Sequence, residues 1–163
     1  MSRHMVRRLS HLDAAGRVRM VDVSGKRVTA RQAVARGKVF MHRETLEVLR
    51  SGRSAKGDVI ATAHLAGVMA AKRTSELVPL AHALALDSVE LGFRFDTESP
   101  AVEIEARVRT RGRTGVEMEA LTAVTVAALA LYDMLKAVDR GMVMGEFTLW
   151  EKRGGRSGVY RRR

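Results

Sequence analysis

Between residues 87 and 96 apolar and polar side chains alternate. Val89, Leu91, Phe93 and Phe95 fall on one side of an extended chain, with Glu90, Arg94 and Asp96 on the other. Residues 102–111 repeat the pattern, with Val102, Ile104, Ala106 and Val108 opposite Glu103, Glu105, Arg107 and Arg109. Thr97-Glu98-Ser99-Pro100 between them is turn chemistry, so the pair predicts a β-hairpin with one face on a core. A third strand is expected over about 143–152, where Phe147 and Leu149 oppose Glu146 and Thr148. A short strand is expected at 39–41.

Helical spacing takes over elsewhere. Residues 43–51 carry Leu46 and Leu49 and stop at Gly52. Residues 58–73 set Val59, Thr62, Ala63, Ala66, Ala70 and Arg73 along one stripe, with Gly67 as an internal weakness. Thr114-Gly115-Val116-Glu117 fits a capping box opening a long helix through about 138, closed by Gly141. That helix is Ala-rich and apolar nearly all round from Ala120 to Leu131, which implies burial on several sides, against a sheet and against another subunit. The elements predict an α+β domain, an antiparallel sheet with helices packed on one face. No internal repeat is present.

At 163 residues the chain fits one domain, spanning 1–163, able to bury a core without staples. It has no cysteine, which excludes disulfides, thiolate-held metal and thiol nucleophiles. No apolar run follows the basic N-terminus, and residues 120–135 fall short of a bilayer span of roughly 20 residues. The expectation is therefore a soluble cytoplasmic protein with no membrane partner. The net charge of +11 sits at the ends. Arg3, Arg7 and Arg8, with Lys152, Arg153, Arg156, Arg161, Arg162 and Arg163, give two basic, flexible tails at about 1–8 and 152–163. Residues 9–151 carry 20 basic against 18 acidic side chains. With arginine outnumbering lysine 23 to 6, each lysine draws notice, because an ammonium shifts its pKa on burial while a guanidinium stays charged.

Five patches offer chemistry, each with a plain structural alternative. Lys56 precedes Gly57-Asp58, where Asp58 would cap a helix and Lys56 could reach an anion at that helix start. Asp133 and Lys136, three apart on the long helix, interrupt apolar neighbours. They form either an ordinary salt bridge or a partly desolvated pair able to exchange protons near neutral pH. Glu117-Met118-Glu119 suits a helix N-terminus through the dipole alone. His82, inside Leu80-Ala81-His82-Ala83-Leu84, is either a hydrogen-bonded core residue or a catalyst. Glu119 and Asp133 stand 14 residues apart, roughly 21 Å along a straight helix, so one small-molecule pocket in one subunit can hardly use both. Gly154-Gly155-Arg156-Ser157-Gly158 has the composition of a phosphate loop or of a flexible tail. The histidines show no metal-ligand spacing.

Taken in order, these segments resemble the molybdenum-cofactor biosynthesis protein C family, the cyclic pyranopterin monophosphate synthases. The likeness runs from His11-Leu12-Asp13 through Met20-Val21-Asp22-Val23-Ser24, Thr29-Ala30-Arg31, Lys56-Gly57-Asp58-Val59, Ala70-Ala71-Lys72-Arg73-Thr74 and Val78-Pro79-Leu80. It continues through Thr114-Gly115-Val116-Glu117-Met118-Glu119-Ala120-Leu121-Thr122 and Tyr132-Asp133-Met134-Leu135-Lys136-Ala137-Val138, and ends at Lys152-Arg153-Gly154-Gly155-Arg156-Ser157-Gly158. Where the family has Leu-Cys-His-Pro, this chain has Leu80-Ala81-His82-Ala83, so thiol chemistry is not available there.

The resemblance implies a ferredoxin-like fold in a homo-hexamer, a trimer of dimers with sites at the dimer interface. It implies a lyase that converts a 3′,8-cyclised dihydro-GTP, handed over by a radical SAM enzyme, into cyclic pyranopterin monophosphate and diphosphate. By the same resemblance Asp133, Lys136 and Lys56 are catalytic. Leu80, Ala81, His82, Glu117, Met118 and Glu119 line the substrate pocket, while Arg31, Lys152 and Arg156 hold phosphates. No cofactor is required by the sequence, Mg2+ is possible, and no protein-held metal is expected. The chemistry fits such residues: proton shuttling needs paired acids and bases, and expelling diphosphate needs cations against developing charge. Two other classes compete. A nucleic-acid-binding accessory protein would use the basic tails, but 4% aromatic residues leave few stacking platforms. A non-catalytic scaffold would use the apolar helix to assemble a complex.

Overall fold

The computed structural model describes residues 12, 13, 15–52 and 56–163; Arg3, Arg7, Arg8 and His11, and with them the expected N-terminal tail, lie outside the described residues. In chain order the elements are β1 Thr29–Phe40, α1 Arg43–Arg50, α2 Val59–Lys72, α3 Thr74–Leu77, β2 Ser88–Asp96, β3 Ala101–Gly112, α4 Glu117–Leu135, β4 Val143–Arg153 and β5 Tyr160–Arg161. The strands form one sheet in the order β2-β3-β1-β4-β5, antiparallel at every pairing. Without α1, α3 and β5 the succession is βαββαβ, the ferredoxin-like arrangement.

The hairpin pairs Phe93 with Ile104 and Val89 with Val108, in the register that alternation demands. Ile104, Ala106 and Val108 are buried beneath α4, while Glu103 and Glu105 on the opposite face pair with Lys38 and Arg36 of β1. Arg36 also stacks over the Trp150 ring at 4.0 Å. The face opposite α4 therefore carries the charged pairs, with the Trp150 ring among them.

The central strand departs most from the sequence expectation. Instead of a short strand at 39–41, β1 is 12 residues long and pairs with both β3 and β4. Its buried core positions include Ala33, Ala35 and Val39. Alanine is a weak strand former, so a strand built on small side chains carries little hydrophobic alternation. The small residues let α4 approach closely.

α4 buries Ala120, Ala123, Val124, Ala127, Ala128, Leu131 and Leu135, a stripe at helical spacing that fills the space between sheet and α2. With 19 residues it is long and apolar enough to cross a membrane by length and composition, contrary to the expectation from residues 120–135; that stripe makes it the core helix of this domain. It begins two residues later than the capping box at Thr114 predicts. Val116 is the N-cap and offers no side-chain cap, and its carbonyl accepts from Ala120 N at 3.1 Å. The helix ends at Leu135 rather than near 138, with Lys136 as its C-cap. Asp58 does cap α2, accepting from Ala61 N at 2.9 Å.

Residues 152–163 also differ from the flexible tail expected. Lys152 and Arg153 complete β4, and Tyr160–Arg161 return alongside it, Lys152 opposite Tyr160. Arg161 Nε donates to Glu151 at 2.8 Å, and Arg162 N to the Trp150 carbonyl at 2.9 Å. Three glycines at positive φ, Gly154 at 94°, Gly155 at 72° and Gly158 at 65°, allow the reversal.

Gly67 marks the closest approach of α2 to the rest of the fold. A Cβ there would stand 2.5 Å from Leu91 Cδ2, 3.0 Å from the Ala123 carbonyl oxygen and 3.3 Å from Ala127 Cβ. Alanine would gain about 1 kcal/mol of helix propensity, but overpacking costs about 1–3 kcal/mol. Gly67→Ala is therefore expected to lower stability in urea denaturation. A variant more stable than the parent would contradict close packing at this crossing.

Candidate active site

Two groups of side chains gather at opposite ends of α4. At its N-terminal end a cavity of about 280 Å³ is lined by Leu80, Ala81 and His82 from the segment before β2, and by Glu117, Met118 and Glu119 from the first turn of the helix. All six are residues that the sequence reading singled out. Val21, Val23, Lys26, Leu84, Thr114 and Gly115 complete the lining and were not. Lys26 had a signal in the sequence: it is one of six lysines and follows the Met20–Ser24 motif by two residues.

Local structure sets each group in place. The side chain of Glu117 folds back over Gly115, where a Cβ would come within 1.8 Å of Oε2 and would displace the carboxylate. Nε2 of His82 lies 2.8 Å from the Val21 carbonyl, with the ring nitrogen as donor in that contact, so the ring is oriented even without a following proline. Glu119 is 4% exposed. Burial pushes its carboxyl above the usual range, outweighing a hydrogen bond from its own backbone N–H; the charge of Glu117 pushes the same way. The cavity therefore presents a carboxyl group whose pKa burial raises, beside a histidine and a lysine.

At the C-terminal end Lys136 Nζ lies 2.7 Å from Asp133 Oδ1. Lys56 Nζ donates to the main-chain carbonyl of Asp133 at 2.8 Å. Lys56 comes from the loop before α2, so folding joins two distant segments. Of the two arrangements the sequence leaves open, this chain alone presents the ordinary salt bridge: Asp133 and Lys136 side chains are 60% and 52% exposed. The hydrogen bond from Lys136, then its charge and that of Lys56, hold the Asp133 carboxyl below its ordinary value. Asp133 in turn raises Lys136. Both groups are kept charged.

Arg31, Lys152 and Arg156 belong to a third group, at the junction of β1 with the β4–β5 loop. Arg31 donates from Nε to the Gly112 carbonyl and from Nη2 to the Arg113 carbonyl, each at 3.0 Å. Gly155 lies against its guanidinium, since a Cβ there would stand 2.2 Å from Nη1. Lys152 donates to Ser157 Oγ, and Arg156 is exposed in the same loop. Arg31 thus braces the strand end leading into Thr114 and Gly115, while none of the three lines the cavity itself. Among the described residues no three His, Asp or Glu side chains come together as a group able to hold a metal ion.

A model of the MoaC family matches residues 20–155. The chain is 61% identical over 154 residues to the cyclic pyranopterin monophosphate synthase of Thermomicrobium roseum, covering 94% of this chain and 93% of the relative. It is 60% identical over 155 residues to the protein of that name from Pelotomaculum thermopropionicum, covering 95% and 91%. A third, from Heliobacterium modesticaldum, is 60% identical over 152 residues, covering 93% and 96%.

The buried carboxyl yields a prediction with a definite sign. The folded state disfavours ionised Glu119, whereas the unfolded chain ionises it freely near the ordinary value of 4.5. Ionisation therefore destabilises the fold above that range. Glu119→Gln should melt at a higher temperature than the parent at pH 7, and the gain should vanish as the pH falls below 4.5. Melting curves from pH 4 to 8 test this. A variant less stable than the parent at pH 7 would show a stabilised carboxylate instead.

Proposed function

The chain belongs to the MoaC family, and from that premise we propose that it is a lyase converting 3′,8-cyclised dihydro-GTP into cyclic pyranopterin monophosphate and diphosphate, in molybdenum-cofactor biosynthesis. The observation that carries the assignment of its catalytic centre is the convergence of Lys56 and Lys136 on Asp133.

The reaction opens the purine, closes a pyrazine ring and joins a sugar hydroxyl to the α-phosphorus. In the last step the hydroxyl oxygen forms the new P–O bond and loses its proton. The P–O bond to the β-phosphate breaks, and diphosphate leaves with the electron pair. A carboxylate such as Asp133 takes the proton, and the ammonium groups of Lys56 and Lys136 stabilise charge on the departing oxygens. The buried carboxyl of Glu119, with His82 and Met118, holds the base and sugar. Lys152 and Arg156 bind phosphate oxygens, while Arg31 braces the strand end beside them. No resident cofactor enters this scheme.

The site is completed by two chains. Support comes from α4 itself: residues 119 and 133 are roughly 21 Å apart at about 1.5 Å per residue, too far for one nucleotide-sized pocket. Further support comes from exposed apolar side chains on the helical layer, Leu65 and Met69 on α2 and Leu129 on α4. Covering Asp133 and Lys136 with a second copy removes water from the pair. Desolvation raises the acid and lowers the amine, which narrows the gap between them and favours proton exchange. The same reading extends to a trimer of dimers acting in the cytoplasm on substrate delivered by a radical SAM enzyme.

Incubation of the pure protein with the cyclised nucleotide should release diphosphate. Lys56→Ala, Lys136→Ala and Asp133→Asn should each lose turnover by at least about 100-fold while keeping the parent circular dichroism spectrum. Near-normal diphosphate release by folded Asp133→Asn would remove the acid–base assignment.

A further inference from the structure

The segment after α4 is tied to a distant part of the chain by one buried carboxylate. Asp139 is 3% exposed, and its oxygens accept hydrogen bonds from three donors. Oδ2 takes the backbone N–H of His42 at 2.9 Å and the hydroxyl of Thr45 at 3.2 Å; Oδ1 takes the N–H of Gly141 at 2.8 Å. The His42 ring also approaches, with Nδ1 at 3.3 Å from Oδ2. His42 and Thr45 belong to the N-terminal end of α1, whose N-cap makes no side-chain cap of its own. Asp139 thus serves α1 as a capping group supplied from 97 residues away, where a carboxylate also suits the helix dipole. Burial alone would raise the Asp139 carboxyl, but the hydrogen bonds from His42 and Gly141 prevail and hold it below the ordinary range.

The same residue closes the turn that carries Lys136. Its own N–H and that of Val138 both donate to the Leu135 carbonyl, at 3.0 and 2.8 Å, while Lys136 N donates to Tyr132 O at 2.8 Å. Tyr132 Oη reaches the Arg140 carbonyl at 3.3 Å from the other side. Lys136 sits on the surface, with Asp133 as its ion-pair partner, so its backbone position depends on this turn. Asp139 is three residues beyond Lys136 and is the side chain that fastens the turn to α1.

We propose that Asp139 is a positioning residue for the reaction, holding the turn after α4 so that Lys136 stays in register with Asp133 and Lys56. The inference rests on the assignment of Lys136 to the catalytic centre. It differs from a purely structural role because misplacing a reacting group by about 1 Å costs on the order of 100-fold in rate, even in a protein that stays folded.

The test compares four variants in the diphosphate-release assay at temperatures where each is folded. Asp139→Asn turns one carboxylate oxygen into a donor facing donors. It should lower kcat by at least about 10-fold with KM within about twofold of the parent, because Lys136 acts on the departing oxygens while the base and sugar are held by Glu119, His82 and Met118. Thr45→Ala removes one hydrogen bond and keeps the charge; it should lower kcat by a smaller factor, again without raising KM, and it answers the question should Asp139→Asn not fold. Leu46→Ala, a core substitution on the same α1, should lower the melting temperature and leave kcat per folded enzyme unchanged. Lys136→Ala runs beside them. An unchanged kcat in Asp139→Asn or, if that variant does not fold, in Thr45→Ala would overturn the inference alone, provided Lys136→Ala is inactive. An equal loss in Leu46→Ala would reduce Asp139 to a stability residue, and a loss seen chiefly in KM would mean that it acts on binding. Full turnover in Lys136→Ala would overturn the assignment beneath it.

Discussion

A straight α-helix cannot bring its two ends together, and this constraint governs the site. α4 is the central packing element: its stripe of alanine, valine and leucine fills the space between the sheet and α2. Its small residues allow the close crossing at Gly67. The helix that makes the core is also the one that displays Glu117 to Glu119 at one end and Asp133 with Lys136 at the other. Rigidity fixes the separation, and under the proposed function that separation divides the chemistry between copies of the chain.

The two ends differ electrostatically in a way that follows from burial. Glu119 sits within the fold, where loss of water favours its neutral form. Asp133 is exposed and flanked by cations, which keep it ionised. A single chain therefore presents a poised carboxyl at one end and a fully charged pair at the other. The second becomes suited to proton transfer once another surface excludes water from it.

Alternation made the β2–β3 hairpin legible, because Val89, Phe93, Ile104 and Val108 are large and their outward neighbours charged. It failed at β1, where the buried positions hold Ala33 and Ala35 and the strand shows no contrast in size. The start of α4 was misjudged by two residues. Thr114 is part of the cavity wall rather than the cap, and the Glu117 carboxylate turns back over Gly115. The tail at 152–163 looked mobile from its charge, yet Glu151 draws Arg153 and Arg161 into a paired strand end. Of the site, the clustering of Leu80, Ala81, His82, Glu117, Met118 and Glu119 was carried by resemblance; composition alone left each open. Asp139 gave no signal in the sequence because its partners His42 and Thr45 lie far away along the chain, where spacing says nothing.

The central claim is that each site joins the N-terminal end of one α4 to the C-terminal end of another. Mixing Glu119→Gln subunits with Asp133→Asn subunits, each first shown to be inactive alone, tests it most directly. In a mixed pair one interface carries both defects and the other is intact. With random pairing, activity should return to about a quarter of the parent, alongside subunit exchange verified by mass spectrometry of the intact oligomer. Verified exchange without any regained diphosphate release would mean that each chain builds its own site, and the division imposed by α4 would be wrong.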